Sequence, residues 1–270
     1  MQTTMSCPFP PEIHDQIVDH LHDDPVALGA CCLVSKSWVP RTRMHLFTNV
    51  KLSSKLTIKP WVEAFPDPSN SPAHYTQTLT VIGYRAPITI AADAGRWIRA
   101  FHNTVHLHLY GCLLSPFQGL SSAIRSLRLE YPQARTSEIL DFMCSFSLLE
   151  DFALLQGPGS DTDDWTAPST LPRLTGSLEL GGMAWGTRNI MRRLLDLQDS
   201  LHFTKVALLW TDDTDFKLVM DLISRCSRTV EFLDLAEDFD STEELPSTFP
   251  SPLVPDRYLT AAVRHCHDRV

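Results

Sequence analysis

Three groups of polar residues contain side chains of the types that bind metal ions. The acidic stretch 212–215 offers carboxylates, His106 and His108 alternate along a predicted strand and so share one face, and the stretch 265–267 holds two histidines around a cysteine. A zinc site needs three or four ligands, and no third ligand has diagnostic spacing near either histidine pair. We therefore predict no metal site. The aspartates fit the start of a helix better, because carboxylates accept hydrogen bonds from the free N–H groups there.

Catalytic and cofactor-binding motifs are also absent from the sequence. It contains no Gly-x-Gly-x-x-Gly, no Walker loop, no Gly-x-Ser-x-Gly and no kinase signature. We predict no catalytic residue, no cofactor and no enzymatic activity of the chain's own. An α/β enzyme of unrecognised type stays open as a less favoured alternative, and it would need a deep pocket with paired titratable groups.

Short apolar-x-apolar units, which favour half-buried strands, recur along most of the chain. Their first residues are Leu79, Leu107, Leu127, Phe152, Leu178, Val206 and Leu233. The intervals between them are 28, 20, 25, 26, 28 and 27 residues. This spacing resembles that of leucine-rich repeats, whose period is about 20–29 residues.

The segments between these units carry apolar residues at helical spacing, so the pattern predicts alternating strands and helices with a parallel sheet. The stripes start at Trp61, Ala94, Ile139, Ile190 and Phe216. Leucine-rich repeats usually place Asn or Cys three residues after the last leucine, and only Cys112 fits. We therefore expect an irregular leucine-rich-repeat-like βα solenoid over residues 76–236. A compact α/β domain of other topology is the alternative, because alternation does not fix strand order.

In such a sheet the residue between two apolar positions points to the exposed face. As a hypothesis, this face recognises a target protein. The residues proposed for target binding are His106, His108, Tyr110, Arg128, Glu130, Glu179 and Asp234. Ordinary solvated strand surface is the alternative for any single one of them.

Residues 9–50 have a different pattern, with three short helical segments. Ile13, Ile17 and Leu21 recur every fourth residue, the stretch 22–25 ends that helix, and Pro40 suits the first turn of the third helix. Three short helices cannot bury all of this apolar surface by themselves, so part of it is expected to face a partner.

The order of residues in this segment resembles an F-box, the three-helix module that binds the adaptor subunit of SKP–cullin–F-box ubiquitin ligases. The matching residues are Phe9, Pro10, Glu12, Ile13, Ile17, Leu21, Leu28, Leu33, Val34, Ser35 and Trp38. Phe9 stands where the family has leucine, and the flanking residues resemble the form common in mushroom-forming fungi. The resemblance implies that the adaptor contacts Phe9, Pro10, Ile13, Ile17, Leu21, Leu33, Val34 and Trp38.

Composition and charge set further expectations. The net charge of −9 and the absence of a basic stripe argue against a nucleic-acid surface. The seven cysteines are odd in number and form no Cys-x-x-Cys pair, which favours reduced thiols in a cytoplasmic and/or nuclear protein. We expect no membrane association, because no stretch approaches 20 apolar residues or so.

The expected organisation therefore has six parts. They are a flexible N-terminus at 1–8, the F-box-like segment at 9–50, a connection at 51–75, the repeat-like domain at 76–236, an acidic proline-rich linker at 237–257 and a short C-terminal helix at 258–270. The expected function is that of a substrate-recognition subunit, which binds an SKP-type adaptor, through it a cullin, and an unknown target protein. A non-ligase interaction scaffold is the alternative.

Overall fold

A computed structural model describes residues 10–53, 58–83, 94–157, 165–166, 172–181, 185–197, 201–210 and 213–237. Its helices are α1 (Pro11–His20), α2 (Pro25–Val34), α3 (Val39–Thr48), α4 (Ile58–Ala64), α5 (Ala94–Ile98), α6 (Thr136–Cys144), α7 (Trp185–Asp196) and α8 (Asp213–Cys226). Its strands are β1 (Asn49–Ser53), β2 (Thr78–Ile82), β3 (His106–Tyr110), β4 (Ser126–Glu130), β5 (Asp151–Leu155), β6 (Ser177–Gly181), β7 (Lys205–Trp210) and β8 (Phe232–Glu237).

The strands form one eight-stranded parallel sheet whose order is the order of the chain, β1 to β8. The chain is therefore of the α/β class, and its connectivity is consistent with a βα solenoid. Every strand predicted from an apolar-x-apolar unit is present. The sheet begins one strand earlier than expected, at Asn49–Ser53, within residues assigned to the end of the F-box-like segment and the connection.

Alternating burial along the strands separates the core from the exposed face of the sheet. The two apolar residues of β3, Leu107 and Leu109, are buried, and the residues between and beside them are half-buried or exposed. The same pattern holds in β2, β4 and β5. Helical residues such as Phe142 and Ile190 fill the other side of the core. Period-two burial fixes the strand register, because a slip of one residue would expose every apolar side chain.

A repeated backbone turn ends the central strands. Gly111, Tyr131 and Gln156 follow β3, β4 and β5 directly, and each has a positive φ. The N–H of Gly111 donates to the carbonyl of Glu130, and the N–H of Tyr131 donates to the carbonyl of Leu155. The ladder of hydrogen bonds therefore continues one residue beyond each strand.

Cys112 stabilises one of these turns. Its buried Sγ lies 3.3 Å from the carbonyl oxygen of Tyr110 and 3.5 Å from that of Val81. Burial raises the pKa of the Cys112 thiol to about 11, so the group stays protonated and can donate. The cysteines that the structure describes, residues 31, 32, 112, 144 and 226, are free thiols.

Each of the first three helices has a proline in its first turn, and α2 also has a capping side chain. Asp24 Oδ1 accepts from the backbone N–H groups of Val26 and Ala27, and Pro25 occupies the first helical position of α2. Leu28 and Cys31 of this helix are buried.

The end of α3 joins the helical segment to the sheet. The carbonyl of Thr48 accepts from the N–H of Gln77, just before β2, and Phe47 packs edge-on against Trp61 of α4 at a ring distance of 5.8 Å. No loop separates α3 from β1, so the three helices lead directly into the first strand.

The connecting segment and the two ends of the chain were also the subject of sequence-based expectations. Two short 3₁₀ helices, Pro68–Asn70 and Pro72–Tyr75, lie within the expected connection at 51–75. Residues 1–8 and 238–270 lie outside the described residues, and with them nearly all of the predicted linker and the whole C-terminal helix. Among the helices described, none has the length and apolar character needed to cross a membrane.

Candidate protein-binding surfaces

Four of the predicted adaptor-contact side chains stay exposed on α1 and α2 and define an N-terminal apolar surface: Ile13, Ile17, Leu33 and Val34. Leu33 is 89% exposed and Val34 is 69% exposed, although they are the last two residues of the mostly apolar helix α2. The side chains that α1 turns inward are His14 and Val18. Large apolar groups left in water on a folded segment are typical of a surface that another molecule covers.

The other predicted adaptor-contact residues are placed differently. Pro10 is exposed, and Phe9 lies outside the described residues. Leu21 and Trp38 are half-buried, and the Trp38 ring lies 5.5 Å from the ring of His14. These two side chains therefore also pack within the three-helix segment.

Val26 is an exposed apolar residue that the sequence pattern did not single out. It is 83% exposed in the first turn of α2. Leu33 lies seven residues later, and this spacing places both side chains on the same side of the helix. Helical spacing from Leu33 could have identified it.

An ion-pair cluster of Asp19, Arg41 and His45 connects α1 to α3. Arg41 Nε and Nη2 each donate to a different oxygen of Asp19 at 2.6 Å, and His45 Nε2 lies 2.7 Å from Asp19 Oδ1. The hydrogen bonds from Arg41 and then His45 hold the pKa of Asp19 well below its usual range. A bidentate arginine–carboxylate pair restricts orientation as well as distance. This cluster therefore fixes the helix that carries Ile13 and Ile17.

The exposed face of the sheet carries the predicted target-binding residues. His106 is exposed, and the six others are half-buried. His108 and Arg128 are register partners on neighbouring strands, as are Tyr110 and Glu130.

Four of these residues form a central cluster: His108, Arg128, Glu130 and Glu179. Arg128 Nε donates to Glu130 Oε1 at 2.7 Å, and Arg128 Nη1 donates to Glu179 Oε2 at 2.6 Å. His108 Nε2 lies 3.1 Å from the same Glu130 Oε1. The cluster spans strands β3, β4 and β6.

The central cluster holds its charges in defined states. Burial opposes the charge of Arg128, but its hydrogen bonds to Glu130 and Glu179 outweigh burial and raise the pKa of the guanidinium. Burial lowers the pKa of His108, and the nearby Glu130 carboxylate only partly offsets it. In formal charges the cluster combines one arginine and two glutamates with a histidine whose neutral form burial favours.

Asp234 and His106 are not brought into the cluster. Asp234 lies on β8 and pairs in register with Ala207, two strands from Glu179. His106 lies at the opposite end of β3 from Tyr110.

An aromatic pair adjoins the cluster at the ends of β3 and β4. The rings of Tyr110 and Tyr131 lie 5.3 Å apart and are tilted by 53°. Tyr131 directly follows Glu130, and its side chain is 46% exposed. Sequence analysis did not predict Tyr131, because it lies one residue beyond the strand pattern.

In the described part of the chain, no group of three or more His, Cys, Asp or Glu side chains is arranged to hold a metal ion. The two candidate surfaces are the exposed apolar side chains on α1 and α2 and the charged and aromatic patch on the sheet.

A comparison of the sequence with models of known protein families matched none of them, and a comparison with curated proteins found no match.

Proposed function

We propose that this protein is the substrate-recognition subunit of an SKP–cullin–F-box ubiquitin ligase. The observation that carries the proposal is the exposure of Leu33 and Val34 at the end of α2. These residues begin the Leu-Val-Ser-x-x-Trp stretch that resembles the F-box signature. In the proposal they insert into the SKP-type adaptor.

Burial of the exposed apolar side chains would supply most of the binding free energy. Full burial of a leucine or valine side chain contributes about 1.5–3 kcal/mol before ordering costs. Ile13 and Ile17 of α1 are exposed as well, and the Asp19 cluster restricts how α1 presents them. A small number of central apolar anchors usually dominates a protein–protein interface.

The sheet would supply the second binding function. In this proposal the βα domain is an irregular leucine-rich-repeat-like solenoid, and its exposed face holds the target. The ligase then transfers ubiquitin by proximity on other subunits, so this chain needs no nucleophile. The direct backbone connection from Thr48 through β1 supports a fixed spacing between the two surfaces.

The test is affinity purification of the tagged full chain beside Leu33→Asp and Leu148→Asp variants. Both positions are exposed leucines, and Leu148 lies after α6, away from the N-terminal apolar surface. We expect the wild type and Leu148→Asp to recover adaptor and cullin together, and Leu33→Asp to lose both.

Other outcomes would contradict the proposal. Equal recovery by all three proteins would remove the N-terminal apolar surface from the interaction. Recovery of the adaptor without a cullin would favour a non-ligase scaffold.

A further inference from the structure

We propose that the central cluster binds a cationic side chain, arginine or lysine, presented by a basic segment of the target protein. This inference rests on the proposed function, because it assigns a chemical class to the target.

The balance of charge favours a cation over an anion. Arg128 carries the one formal positive charge of the cluster, and the Glu130 and Glu179 carboxylates both hydrogen-bond to it. From the cluster itself, an incoming anion would gain one attraction and meet two repulsions, whereas an incoming cation meets the reverse. Lys51, whose charge also acts on His108, lies two strands from it, on β1. His108 does not correct this imbalance, because burial favours its neutral form.

Glu179 is placed to receive such a group. Its register neighbours on both adjoining strands are alanines, Ala153 and Ala207. Small neighbours leave the Glu179 carboxylate accessible, and the side chain is 41% exposed. One oxygen accepts from Arg128; the second has no hydrogen-bond partner among the residues that the structure describes. Arg128 thus holds the carboxylate in place before the target arrives, which lowers the ordering cost of binding.

The aromatic pair suits the rest of a cationic side chain. Tyr110 and Tyr131 lie beside Glu130, and aromatic faces attract arginine and lysine cations. Leu155, which is half-buried and pairs in register with Glu130 and Gly181, offers an apolar surface for the methylene groups of the same side chain. Carboxylates, aromatic rings and an apolar surface at one place match arginine or lysine better than a polar neutral residue.

The experiment measures binding of labelled peptides to the full-length protein by fluorescence anisotropy. The probes are Gly/Ser peptides of roughly ten residues that differ only in carrying two arginines, two lysines or two aspartates. We expect a basic probe to bind and the aspartate probe not to bind. Glu130→Gln/Glu179→Gln should weaken basic-probe binding by about ten-fold or more.

A matched control separates local recognition from the overall negative charge. Glu12→Gln/Asp221→Asn also removes two negative charges, from exposed positions on α1 and α8. This control should bind the basic probe within about two-fold of the wild type. Equal losses in the two double variants would overturn the inference, as would preferential binding of the aspartate probe or binding of no probe.

A further variant tests the aromatic contribution without a change in charge. Tyr131 has a φ of 50°, a conformation that glycine adopts without strain, so Tyr131→Gly should fold. It should weaken basic-probe binding several-fold, and unchanged binding would remove the aromatic pair from the site.

Recovery of adaptor and cullin by the same protein separates the two proposals. Recovery of both partners without basic-probe binding would contradict only this inference. Basic-probe binding without adaptor recovery would contradict the proposed ligase function.

Discussion

Arg128 of β4 donates a hydrogen bond to Glu179 of β6 across the intervening strand β5, where the register partner of both residues is Ala153. The two strands lie about 9–10 Å apart, a span that long arginine and glutamate side chains can cover only above a small residue. Ala153 therefore permits an ion pair that skips a strand.

Replacement of Ala153 by leucine should separate this ion pair without removing either charge. A double-mutant cycle with Arg128→Met and Glu179→Gln should give a coupling energy of about 0.5–1 kcal/mol in the native background, because the pair is partly exposed. In the Ala153→Leu background the coupling should fall to near zero. Urea unfolding of the eight proteins measures both values, and equal coupling in the two backgrounds would show that Ala153 does not control the pair.

Asp19→Asn should lower the stability of the protein at neutral pH, because it removes the carboxylate that Arg41 and His45 share. The folded pKa of Asp19 is lowered, so its contribution is fully present above the unfolded value of about 4 and is lost as the pH falls toward the folded pKa. The difference in unfolding midpoint between wild type and variant should therefore shrink below about pH 4.

Urea titrations at a series of pH values measure this difference. Arg41→Lys is the matched variant, because it keeps the charge but loses the two-pronged geometry. A difference that stays constant across the acid range would contradict the assigned role of Asp19.

His108→Gln should reduce the loss of stability on mild acidification. The pKa of His108 is lowered by burial in the folded protein, so the unfolded chain binds more protons as the pH falls through about 6.5. The free energy of unfolding of the wild type must then decrease with decreasing pH. The variant has no histidine at this position, so it lacks this contribution to the pH dependence. Measurement of unfolding midpoints between pH 7.5 and 5.5 or so tests this prediction. If the midpoints of both proteins changed equally with pH, the prediction would be contradicted.

Gly111→Ala should destabilise the fold by about 1–2 kcal/mol or more. Gly111 has a φ of 61°, and a Cβ there would also collide with the carbonyl of Gly83. Gly119→Ala is the control, because Gly119 has a φ of 72° but open space around its Cβ position. Thermal unfolding should show the larger loss for Gly111→Ala, and equal losses would mean that the close approach of Gly111 to the Gly83 carbonyl carries no cost.

The strands of this fold were predictable because a local period-two pattern encodes them. Strand β1 was missed although Val50 and Leu52 carry the same alternation and are buried. It follows α3 without an intervening loop, so no turn residue separates it from the helical segment in the sequence. The F-box-like segment was predicted to end at residue 50, so the predicted boundary lies within β1.

The outward orientation of Ile13 and Ile17 could not be derived from hydrophobicity alone. The alternative stripe of His14 and Val18 has the same helical spacing and is less apolar, yet it is the buried one. Only the motif resemblance favoured exposed isoleucines.

The partners within the central cluster were likewise not predictable. Arg128 and Glu179 are 51 residues apart in the chain and two strands apart in the sheet. Sequence analysis could place each of them on the exposed face, but their contact depends on the register of three strands and on the size of Ala153.

Direct titration of a purified SKP-type adaptor into the purified full-length chain tests the central claim most directly. Isothermal titration calorimetry should show one-to-one binding to the wild type and to Leu148→Asp. Leu33→Asp should weaken it by about 2 kcal/mol or more, roughly thirty-fold in affinity. Absence of binding by the folded wild type, or equal affinity of wild type and Leu33→Asp, would contradict the claim that the exposed end of α2 is an adaptor-binding surface.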